Sequence, residues 1–464
     1  MAITLRDYQL AIIDEARALM QTGCKSLCIV SPTGSGKTAL TAQMIKTSAS
    51  KGLSSWFIVH RRELVKQSAL AFHQAGINFG IVASGFPFDA KPMVQICAIQ
   101  TLTNRLEKLK PPSLIVWDES HHVGARTWEK VRERFSEAYH IGLTATPERL
   151  DGKGLRKYFS EIVLGPRVQD LIDEGYLCPY RLLVPSTISM AGVKTQMGDY
   201  ARAEAEAIID KPHITGDAIR EYKKLGGNKR AVVFCMSVKH SNHVVDQFNR
   251  AGISAIHVDG ETDSFTRDGA IKAFERGDIR VLSNVNLFGE GFDLPSIEIV
   301  ILLRPTQSLS FYLQSVGRAL RPSPNKTQAI ILDHAGNVER HGLPCDDRAW
   351  SLDGRGERLK NTKDSGPAIR ICEICFGAQP SGKPHCIYCN NVFQSKNREI
   401  DHVDGDLVEI DPSRLKRKPS EKKQESKTLD ELYKLGVARG YKHARKWAQH
   451  VFQMQQAKRI GIKK

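Results

Sequence analysis

The segment Ser31–Thr38, with the sequence Ser-Pro-Thr-Gly-Ser-Gly-Lys-Thr, constrains the fold of this chain more than any other feature. It follows a short apolar run, Leu27–Val30, and precedes a helical pattern at Ala39–Ile45. A strand, a glycine-rich loop and a helix opened by Gly-Lys-Thr make one unit of a parallel sheet that helices cover on both faces. The segment therefore predicts an α/β fold with a ligand site at the carboxyl edge of the sheet.

The same loop has the chemistry of a phosphate site. Its backbone N–H groups and the positive end of the following helix attract phosphates. Lys37 would reach the β- and γ-phosphate oxygens, and the Thr38 hydroxyl would ligate magnesium. We expect a nucleoside triphosphate to contact Thr33, Gly34, Ser35, Gly36, Lys37 and Thr38. Ser31 stands where the strict pattern has glycine, and a chance Gly-x-Gly-Lys-Thr turn is the alternative.

Further apolar runs predict two α/β domains in tandem. With 464 residues the chain is too long for one hydrophobic core, and its 41% hydrophobic content excludes wholesale disorder. A less patterned stretch at residues 186–215 separates two sets of runs, so we predict domains at 1–165 and 166–345 that meet across a cleft. The runs are Leu27–Val30, Trp56–Val59, Val94–Ala98, Leu114–Trp117 and Ile141–Leu143, then Ala231–Cys235, Ser254–Val258, Arg280–Leu282, Ile299–Leu303 and Ala329–Leu332.

A pair of carboxylates follows one of the predicted strands. Asp118 and Glu119 come directly after Leu114–Trp117, which places them at the carboxyl edge of the sheet, near the phosphate loop. Asp118 can hold magnesium through water, and Glu119 can polarise the attacking water. A solvated Asp-Glu pair at a strand end is the alternative.

Residues 308–321 predict a helix with two arginines on one face. Ser308 or Ser310 can cap this helix, and Gln314, Arg318 and Arg321 recur at i, i+4 and i+7. Planar, always-charged guanidinium groups suit the phosphate oxygens of a transition state. These residues are candidate catalytic groups from the second domain, and a solvated basic face is the alternative.

Six ordered motifs over residues 1–335 resemble those of superfamily-two helicases. Three of them, Leu5–Gln9, the Asp-Glu-x-His box and Leu-Thr-Ala-Thr-Pro, look closest to the DNA translocase branch. That branch includes type I and III restriction motors and RadD-type repair ATPases. The resemblance implies two RecA-like domains that bind ATP and magnesium. The motifs are Leu5–Gln9, Gly34–Thr38, Asp118–His121, Leu143–Pro147, Gly289–Asp293 and Gln314–Arg321.

The resemblance also implies roles at the nucleotide for single residues. Gln9 would read the adenine edge, and Gly291 and Asp293 would approach the ribose. His121 would bridge the carboxylates to the second domain. For Gln9 an exposed residue on the first helix is the alternative, and for His121 a purely structural histidine.

Other implied roles concern the nucleic acid. Arg61 and Arg62 resemble a motif that touches the nucleic-acid backbone, with a solvated basic turn as the alternative. Gln100 and Thr101 resemble a second such motif, and Thr144 and Thr146 would couple the ATP site to the track. The chain departs from the family at Ser283-Asn284, where a threonine is usual, and this puts a phosphate contact there in doubt.

Four cysteines form two Cys-x-x-Cys pairs near the C-terminus. Cys372, Cys375, Cys386 and Cys389 can close a tetrahedral zinc site, which predicts a zinc ribbon at residues 366–397. A redox dithiol or an iron–sulfur cluster is the alternative. A RadD-type relative would also carry a cysteine-rich segment here. The ribbon could contact nucleic acid or serve only as a structural clamp.

The chain is basic, and most of its excess charge lies at the C-terminus. Lys and Arg exceed Asp and Glu by 67 − 51 = 16, which favours a polyanionic partner. Residues 411–464 hold 16 Lys and Arg against 5 Asp and Glu, so they carry 16 − 5 = 11 of that excess. We predict a basic linker, with its basic run at 414–423, and a helical tail that grips phosphates, with a solvated linker and a packed helix as the alternative. Tyr441, Ala444, Ala448 and Val451 make one apolar stripe of this predicted helix.

These patterns predict ATP-dependent translocation or unwinding on nucleic acid, with DNA favoured over RNA. The alternatives are an ATP-gated DNA clamp without processive movement and the motor subunit of a restriction or defence complex. A nuclease or repair factor is a candidate protein partner. No apolar signal-peptide core or membrane span is visible in the sequence, so we expect a cytoplasmic protein.

Overall fold

Two compact units make up the chain in a computed structural model, residues 1–393 and 394–464. The structure describes residues 4–149, 152–185, 190–196, 198–285, 287, 294–353, 368–393, 428–438 and 443–459.

The first domain of the larger unit is built on a seven-stranded, wholly parallel sheet with the order β3-β4-β2-β5-β6-β1-β7. All five predicted strands are present. The two edge strands, β3 and β7, were not predicted, because their half-exposed positions break the continuous apolar run that marks a central strand. The strands are β1 Ser26–Val30, β2 Ser55–Val59, β3 Phe79–Val82, β4 Val94–Ala98, β5 Leu114–Trp117, β6 Tyr139–Thr144 and β7 Glu161–Leu164.

Helices cover both faces of this sheet, as its apolar strands require. Leu40, Ile45 and Val65 of these helices bury one face together with Ile29 and Phe57 of the sheet. The helices are α1 Asp7–Gln21, α2 Lys37–Ser50, α3 Arg62–Gln74, α4 Ile99–Leu102 and α5 Arg126–Arg134, with short 3₁₀ turns at Leu106–Lys108 and Ser120–His122.

The second domain repeats this plan with a six-stranded parallel sheet of order β12-β13-β11-β14-β15-β8. The five predicted strands are again present, and the edge strand β8 was not predicted. The less patterned stretch contains a small antiparallel hairpin, β9 Thr195–Gln196 and β10 Asp199–Tyr200. The sheet strands are β8 Tyr180–Leu183, β11 Ala231–Phe234, β12 Ala255–Val258, β13 Val281–Asn284, β14 Ile299–Leu302 and β15 Ala329–Asp333.

The helix predicted at residues 308–321 is present and begins where the sequence indicated, but it ends at Ala319, so Arg321 follows the helix instead of lying on its face. The Ser308 hydroxyl accepts a hydrogen bond from the Phe311 N–H at 3.1 Å, so Ser308 is its N-cap. The helices of this domain are α6 Val168–Asp173, α7 Arg202–Ile209, α8 Pro212–Gly226, α9 Val238–Arg250, α10 Ser264–Arg276, α11 Leu309–Ala319 and α12 Asn337–His341.

The cysteine-rich segment docks on the edge strand of the second sheet. It contains an antiparallel pair, β16 Ile369–Ile371 and β17 Ala378–Pro380. Leu183 of β8 forms an antiparallel bridge with Gly377, and the Val184 N–H donates to the Phe376 carbonyl at 2.9 Å. The segment thus covers backbone groups that would otherwise be open at this edge.

Residues 343–353, here termed the return segment, leave the second domain and cross back to the first. The predicted loop character is confirmed over these residues, since they contain no regular helix or strand. Leu352 is 1% exposed and lies in the hydrophobic core beside the first sheet. Its carbonyl accepts from the Leu155 N–H at 2.7 Å, and Asp353 pairs with Arg156 at 2.9 Å.

The smaller unit contains two helices, α13 Leu429–Ala438 and α14 Ala444–Arg459. Leu432 of α13 packs against Ala448 and Val451 of α14, two members of the predicted apolar stripe. Tyr441 of that stripe and the basic run 414–423 lie outside the described residues. Among helices in the described parts of the chain, none is long and apolar enough to cross a membrane.

Candidate functional site

The loop after β1 has the backbone that its glycines permit. Gly34 and Gly36 have φ of 89° and 79°, in the left-handed region, and Gly36 is the N-cap of α2. The Lys37 ammonium group donates to the Ser31 carbonyl at 3.1 Å and to the Pro32 carbonyl at 3.3 Å. Lys37 therefore lies inside the loop, at the position where phosphate oxygens would bind.

Two side chains of α1 bind the backbone of this loop. Gln9 Nε2 donates to the Ser35 carbonyl at 3.0 Å and to the Gly36 carbonyl at 3.3 Å, and the Tyr8 hydroxyl donates to the Ser35 carbonyl at 2.6 Å. Gln9 Oε1 accepts from the Arg6 N–H at 3.0 Å. Gln9 thus holds the shape of the loop, and its contact with adenine stays a prediction. The sequence reasoning overlooked Tyr8, although it stands in the same motif.

Asp118 and Glu119 lie at the carboxyl end of β5, as predicted. Burial and the neighbouring Glu119 carboxylate raise the pKa of Asp118 to about 6, whereas Lys37 opposes this rise. Glu119 has φ of 49°, which few non-glycine residues adopt. The Asp118 carboxylate and the hydroxyl of Thr38, in the first turn of α2, are oxygen ligands of the type that magnesium takes.

His121 connects the carboxylates to the end of β6. Its Nδ1 lies 3.4 Å from Glu119 Oε2 and 3.3 Å from the Thr144 hydroxyl oxygen. That hydroxyl donates to the Thr146 carbonyl at 2.8 Å and accepts from the Thr146 N–H at 3.1 Å. His121, predicted to bridge the carboxylates to the second domain, and Thr144 and Thr146, predicted to couple the ATP site to the track, therefore form one buried chain of contacts.

Helix α11 of the second domain lies directly against the site of the first. Gln314 Nε2 donates to Glu119 Oε2 at 3.2 Å, and both side chains are buried. A Cβ placed on Gly317 would lie 2.6 Å from Thr33 Cβ, so glycine is required for this approach. The structure thus brings the predicted face of α11 to the phosphate loop.

The two arginines of this face also approach the loop. Arg318 is 3% exposed, and Arg321 Cγ lies 3.6 Å from the position of a Cβ on Gly34. Burial lowers the pKa of Lys37, and the positive charges of Arg318 and Arg321 lower it further, while Glu119 and Asp118 act in the opposite direction. Groups from both domains therefore share one electrostatic site.

Two family profiles match the chain: "Type III restriction enzyme, res subunit" over residues 2–149 and "Helicase conserved C-terminal domain" over residues 212–323. A 51.5 kDa protein of a Lactococcus phage (isolate 7-9) is 31% identical over 413 residues, which cover 89% of this chain and 88% of that protein. The chain belongs to superfamily two of the ATP-dependent helicases and translocases. The RecA-like domains implied by the motifs are those of this superfamily.

More distant relatives share the same region. The candidate ATP-dependent helicase IRC3 of Saccharomyces cerevisiae is 28% identical over 357 residues, and the match spans 72% of this chain but only 52% of IRC3. The DNA 3'-5' translocase XPB2 of Sulfurisphaera tokodaii is 24% identical, with 73% and 83% of the two chains covered.

A solved structure supports the fold of this superfamily-two chain. A fragment of an HsdR subunit of a type I restriction enzyme from Vibrio vulnificus YJ016 superposes with a TM-score of 0.59 over 75% of this chain and 67% of that chain. At 22% sequence identity the likeness shows the fold alone.

The superfamily-two motif that contains Arg61 and Arg62 lies at the start of α3. Arg61 Nη1 donates to the Leu287 carbonyl of the second domain at 3.3 Å. The Arg62 guanidinium carbon lies 5.5 Å from the centre of the Phe86 ring. Both arginines are partly exposed, and their contact with nucleic acid stays a prediction.

The second candidate track motif lies on α4. Gln100 Nε2 donates to the His60 carbonyl at 3.4 Å, and Thr101 is half-buried beside it. His60 immediately precedes Arg61, so the two candidate track motifs are neighbours in the first domain.

Ion pairs between α3 and α10 join the two domains, and the sequence reasoning missed them. Glu63 pairs with Arg267 at 2.8 Å, with side chains 23% and 12% exposed. Lys66 pairs with Asp268 at 3.6 Å on a more exposed surface. Each residue is unremarkable on its own helix, so the sequence contains no local signal for either pair.

The segment in which the chain departs from the family is buried. Ser283 and Asn284 are both fully buried at the end of β13. The Ser283 and Ser241 hydroxyl oxygens are 2.6 Å apart, and Asn284 Nδ2 donates to the Val233 carbonyl at 2.8 Å. Gly291 and Asp293, predicted to approach the ribose, lie outside the described residues.

The four cysteines come together as the spacing predicted. Their sulfur atoms all lie within 4.8 Å of one another, with 3.7 Å between Cys372 and Cys389 and 3.5 Å between Cys375 and Cys386. Zinc–sulfur bonds of about 2.3 Å in a tetrahedron place the sulfurs about 3.8 Å apart. The donor set therefore fits a four-coordinate metal.

Proposed function

We propose that this protein is an ATP-dependent translocase or helicase that moves on DNA. The hydrogen bond from Gln314 to Glu119 is the observation that carries the proposal. It joins a side chain of the second domain to the residue assigned to water activation in the first. An ATPase site that is complete only when two domains meet can couple each turnover to a change in domain spacing.

The residues on the first domain hold the nucleotide and its metal. The loop Thr33–Thr38 binds the phosphates, and Lys37 neutralises the terminal oxygens. Magnesium, held by Thr38 and Asp118, would neutralise the charge that develops on the phosphates. Glu119 orients and polarises the attacking water.

The second domain completes the reaction site. Arg318 and Arg321 stabilise the charge on the transferring phosphate, and Gln314 holds Glu119 in place. The contacts from Glu119 through His121 to Thr144 and Thr146 give a physical route from this site towards the end of β6. Hydrolysis then releases the domains, and the track contacts move by one step.

Two kinds of observation support DNA as the track. The relative XPB2 is named as a DNA 3'-5' translocase, and the matching res family belongs to restriction enzymes. The chain carries a formal net charge of +16, which favours a polyanion. We assign Arg61, Arg62, Gln100 and Thr101 to the DNA backbone.

Zinc and the basic tail complete the proposal. We assign zinc to Cys372, Cys375, Cys386 and Cys389, where its role is structural because four thiolates leave no open position. Residues 411–464 would add phosphate contacts.

A second candidate function is the motor of a restriction or defence complex. The HsdR fold neighbour and the res family profile favour it. This function requires a partner that contains a nuclease, so co-purification of the full chain with DNA-cleaving activity would support it.

The decisive experiment measures ATP hydrolysis with single-stranded DNA, duplex DNA, forks and RNA. We expect the strongest stimulation with DNA, no hydrolysis from Lys37→Ala, and retained ATP binding without turnover from Glu119→Gln. Displacement of the third strand of a DNA triplex separates a translocase from an ATP-gated clamp, since only movement strips that strand. A chain without residues 411–464 should bind DNA with a flatter salt dependence. A rate of ATP hydrolysis that none of these nucleic acids changes would contradict the proposal.

A further inference from the structure

Lys326 lies in the turn after α11 and binds two backbone carbonyl groups with one ammonium group. Its Nζ donates to the Arg321 carbonyl at 2.7 Å and to the Ile297 carbonyl at 2.5 Å. Its own N–H donates to the Ser323 carbonyl at 3.1 Å, which closes the turn. Neither carbonyl belongs to a helix or strand, so side-chain donors must satisfy them.

The Arg321 carbonyl belongs to a residue whose side chain approaches the phosphate loop. Arg321 lies beyond the end of α11, yet its Cγ atom lies 3.6 Å from the position of a Cβ on Gly34. One amine therefore ties the backbone at Arg321 to the backbone at Ile297 in the same domain.

A second donor holds the same turn. The Cys178 thiol donates to the Arg321 carbonyl at 3.7 Å and to the Lys326 carbonyl at 3.8 Å, and the Cys178 N–H donates to the Leu320 carbonyl at 2.7 Å. Donors of the second domain itself thus hold the backbone of residues 320–326.

Burial makes the charged ammonium form of Lys326 less favourable, and its hydrogen bonds to the two carbonyl groups oppose this effect. Burial lowers the pKa of Lys326 to about 8. The charged and titratable groups that face it are Cys178 and Glu298, which favour the ammonium form, and Arg321 and Arg230, which oppose it. A lysine that served only as a surface charge would not be placed in such surroundings.

We infer that Lys326 is a positioning residue for hydrolysis, because its ammonium group holds the backbone that aims Arg321 at the phosphate loop. The inference rests on the proposed ATPase function and deepens it. Lys326 itself contacts no phosphate. Its loss should therefore affect the reaction more than nucleotide binding, because the phosphate loop of the first domain supplies the binding.

The test compares Lys326→Met, which keeps the length and apolar stem of the side chain, with Lys272→Met at an exposed lysine on α10. DNA-stimulated kcat and KM are measured together with the affinity for a fluorescent ADP analogue. For Lys326→Met we expect kcat to fall by roughly 10- to 100-fold, the range for small misplacements of a catalytic group, with ADP affinity nearly unchanged. Lys272→Met should match the parent.

The pH profile of kcat distinguishes positioning from a merely structural role. In the parent, kcat should decline as pH rises through about 8, because the neutral amine makes weaker hydrogen bonds to the two carbonyls. Lys326→Arg stays charged, so this decline should move to higher pH. Cys178→Ala should keep the decline, which excludes titration of the neighbouring thiol as its cause.

Two results would overturn the inference. One is a kcat of Lys326→Met equal to that of the parent, and the other is an alkaline decline of Lys326→Arg identical to that of the parent. The arginine variant decides the matter if the methionine variant does not fold. Absence of ATP hydrolysis in the parent itself would instead reject the proposed function, so the two failures are distinguishable.

Discussion

Asp118 is the residue whose environment gives the clearest prediction at the scale of single side chains. Its pKa of about 6 in the folded protein lies above its usual value of 3.8. Between these values the folded protein keeps a proton that the unfolded chain releases, so ionisation of Asp118 destabilises the fold as pH rises through this window. The full cost is present above pH 6. This carboxylate is retained in spite of that cost, as expected for a metal ligand.

Asp118→Asn should therefore be more stable than the parent and inactive. Without magnesium at neutral pH, we expect a gain in the free energy of unfolding on the order of 1–3 kcal/mol, because asparagine cannot ionise. The gain should disappear as pH falls below the usual pKa of aspartate. Thermal melts across pH, with ATP hydrolysis in parallel, check both parts. A gain that is equal at low and neutral pH would show that ionisation of Asp118 is not its source.

Arg318 tests the joint character of the ATP site. Its side chain is buried, and its charge acts on Lys37 across the domain boundary. Arg318→Ala should keep most ATP affinity, because Thr33–Thr38 supply it. Hydrolysis should fall by roughly 10³–10⁵, the range for loss of an arginine finger. Loss of ATP binding with little change in the rate at which bound ATP is hydrolysed would contradict the assignment of Arg318 as a catalytic group.

The sequence predicted the face of α11 but not its neighbours. The spacing of Gln314 and Arg318 placed them on one face without any structure, because helical periodicity is a local property, whereas Arg321 approaches the phosphate loop from the turn after the helix. The contact of Gly317 with Thr33 could not be predicted, since it depends on how two domains meet. The same limit applies to the ion pair between Glu63 and Arg267. Sequence patterns therefore predict which residues share a face of one helix or strand, but they do not predict contacts between domains.

At the scale of elements, buried central strands were predictable and edge strands were not. Leu114–Trp117 is fully buried and reads as an uninterrupted apolar run. Glu161–Leu164 at the sheet edge has only one buried residue, so its sequence lacks that signal. The cluster of four cysteines was predictable for a different reason, because two Cys-x-x-Cys pairs indicate a metal-binding arrangement whatever the surrounding structure.

Gly317 gives a prediction about the helix that carries the arginines. Gly317→Ala should strengthen α11 locally by about 0.5–1 kcal/mol, since glycine is a poor helix former. The added methyl group would nevertheless meet Thr33 and keep α11 from the phosphate loop. We expect reduced hydrolysis without loss of thermal stability. Gly269→Ala on α10, where a Cβ meets nothing within 4 Å, is the matched control and should leave hydrolysis unchanged.

The cysteine cluster gives a second prediction at this scale. Purified protein should contain one zinc ion per chain. Cys372→Ser should release the metal and disorder the ribbon locally, because structural zinc and folding are coupled. Zinc content by metal analysis and protease sensitivity of residues 368–393 measure these effects. Iron in place of zinc, or no metal, would reject the assignment.

At the scale of the whole molecule, the return segment changes how the two domains are connected. The link near residue 165 joins them once, as any tandem arrangement would. Residues 343–353 join them a second time, because this segment leaves the second domain and its Leu352 side chain is buried in the core of the first. From the sequence alone, residues 343–353 show only the absence of a helix or strand pattern. The sequence around a single leucine in a loop does not indicate which hydrophobic core that leucine will pack into.

Burial of Leu352 should therefore limit how far the two domains can separate. Separation of the domains must stretch the return segment or pull Leu352 out of the first domain's core. Leu352→Ala should lower the free energy of unfolding by about 2–5 kcal/mol, as for other buried leucines. It should also raise the fraction of open molecules, measured by energy transfer between dyes on the two domains.

Arg156→Ala is the matched control for this prediction, because it removes the partly exposed pair with Asp353 from the same contact and leaves the Leu352 side chain in place. That pair contributes about 0–1 kcal/mol, so its loss should change neither measurement much. Comparable effects from both variants would mean that the exposed ion pair, and not burial of Leu352, secures the segment. A parent-like melting temperature for Leu352→Ala would exclude the second connection altogether. The domains would then be free to separate about the single link near residue 165, and closure over ATP would depend on the contacts that Arg61, α10 and α11 make between the domains.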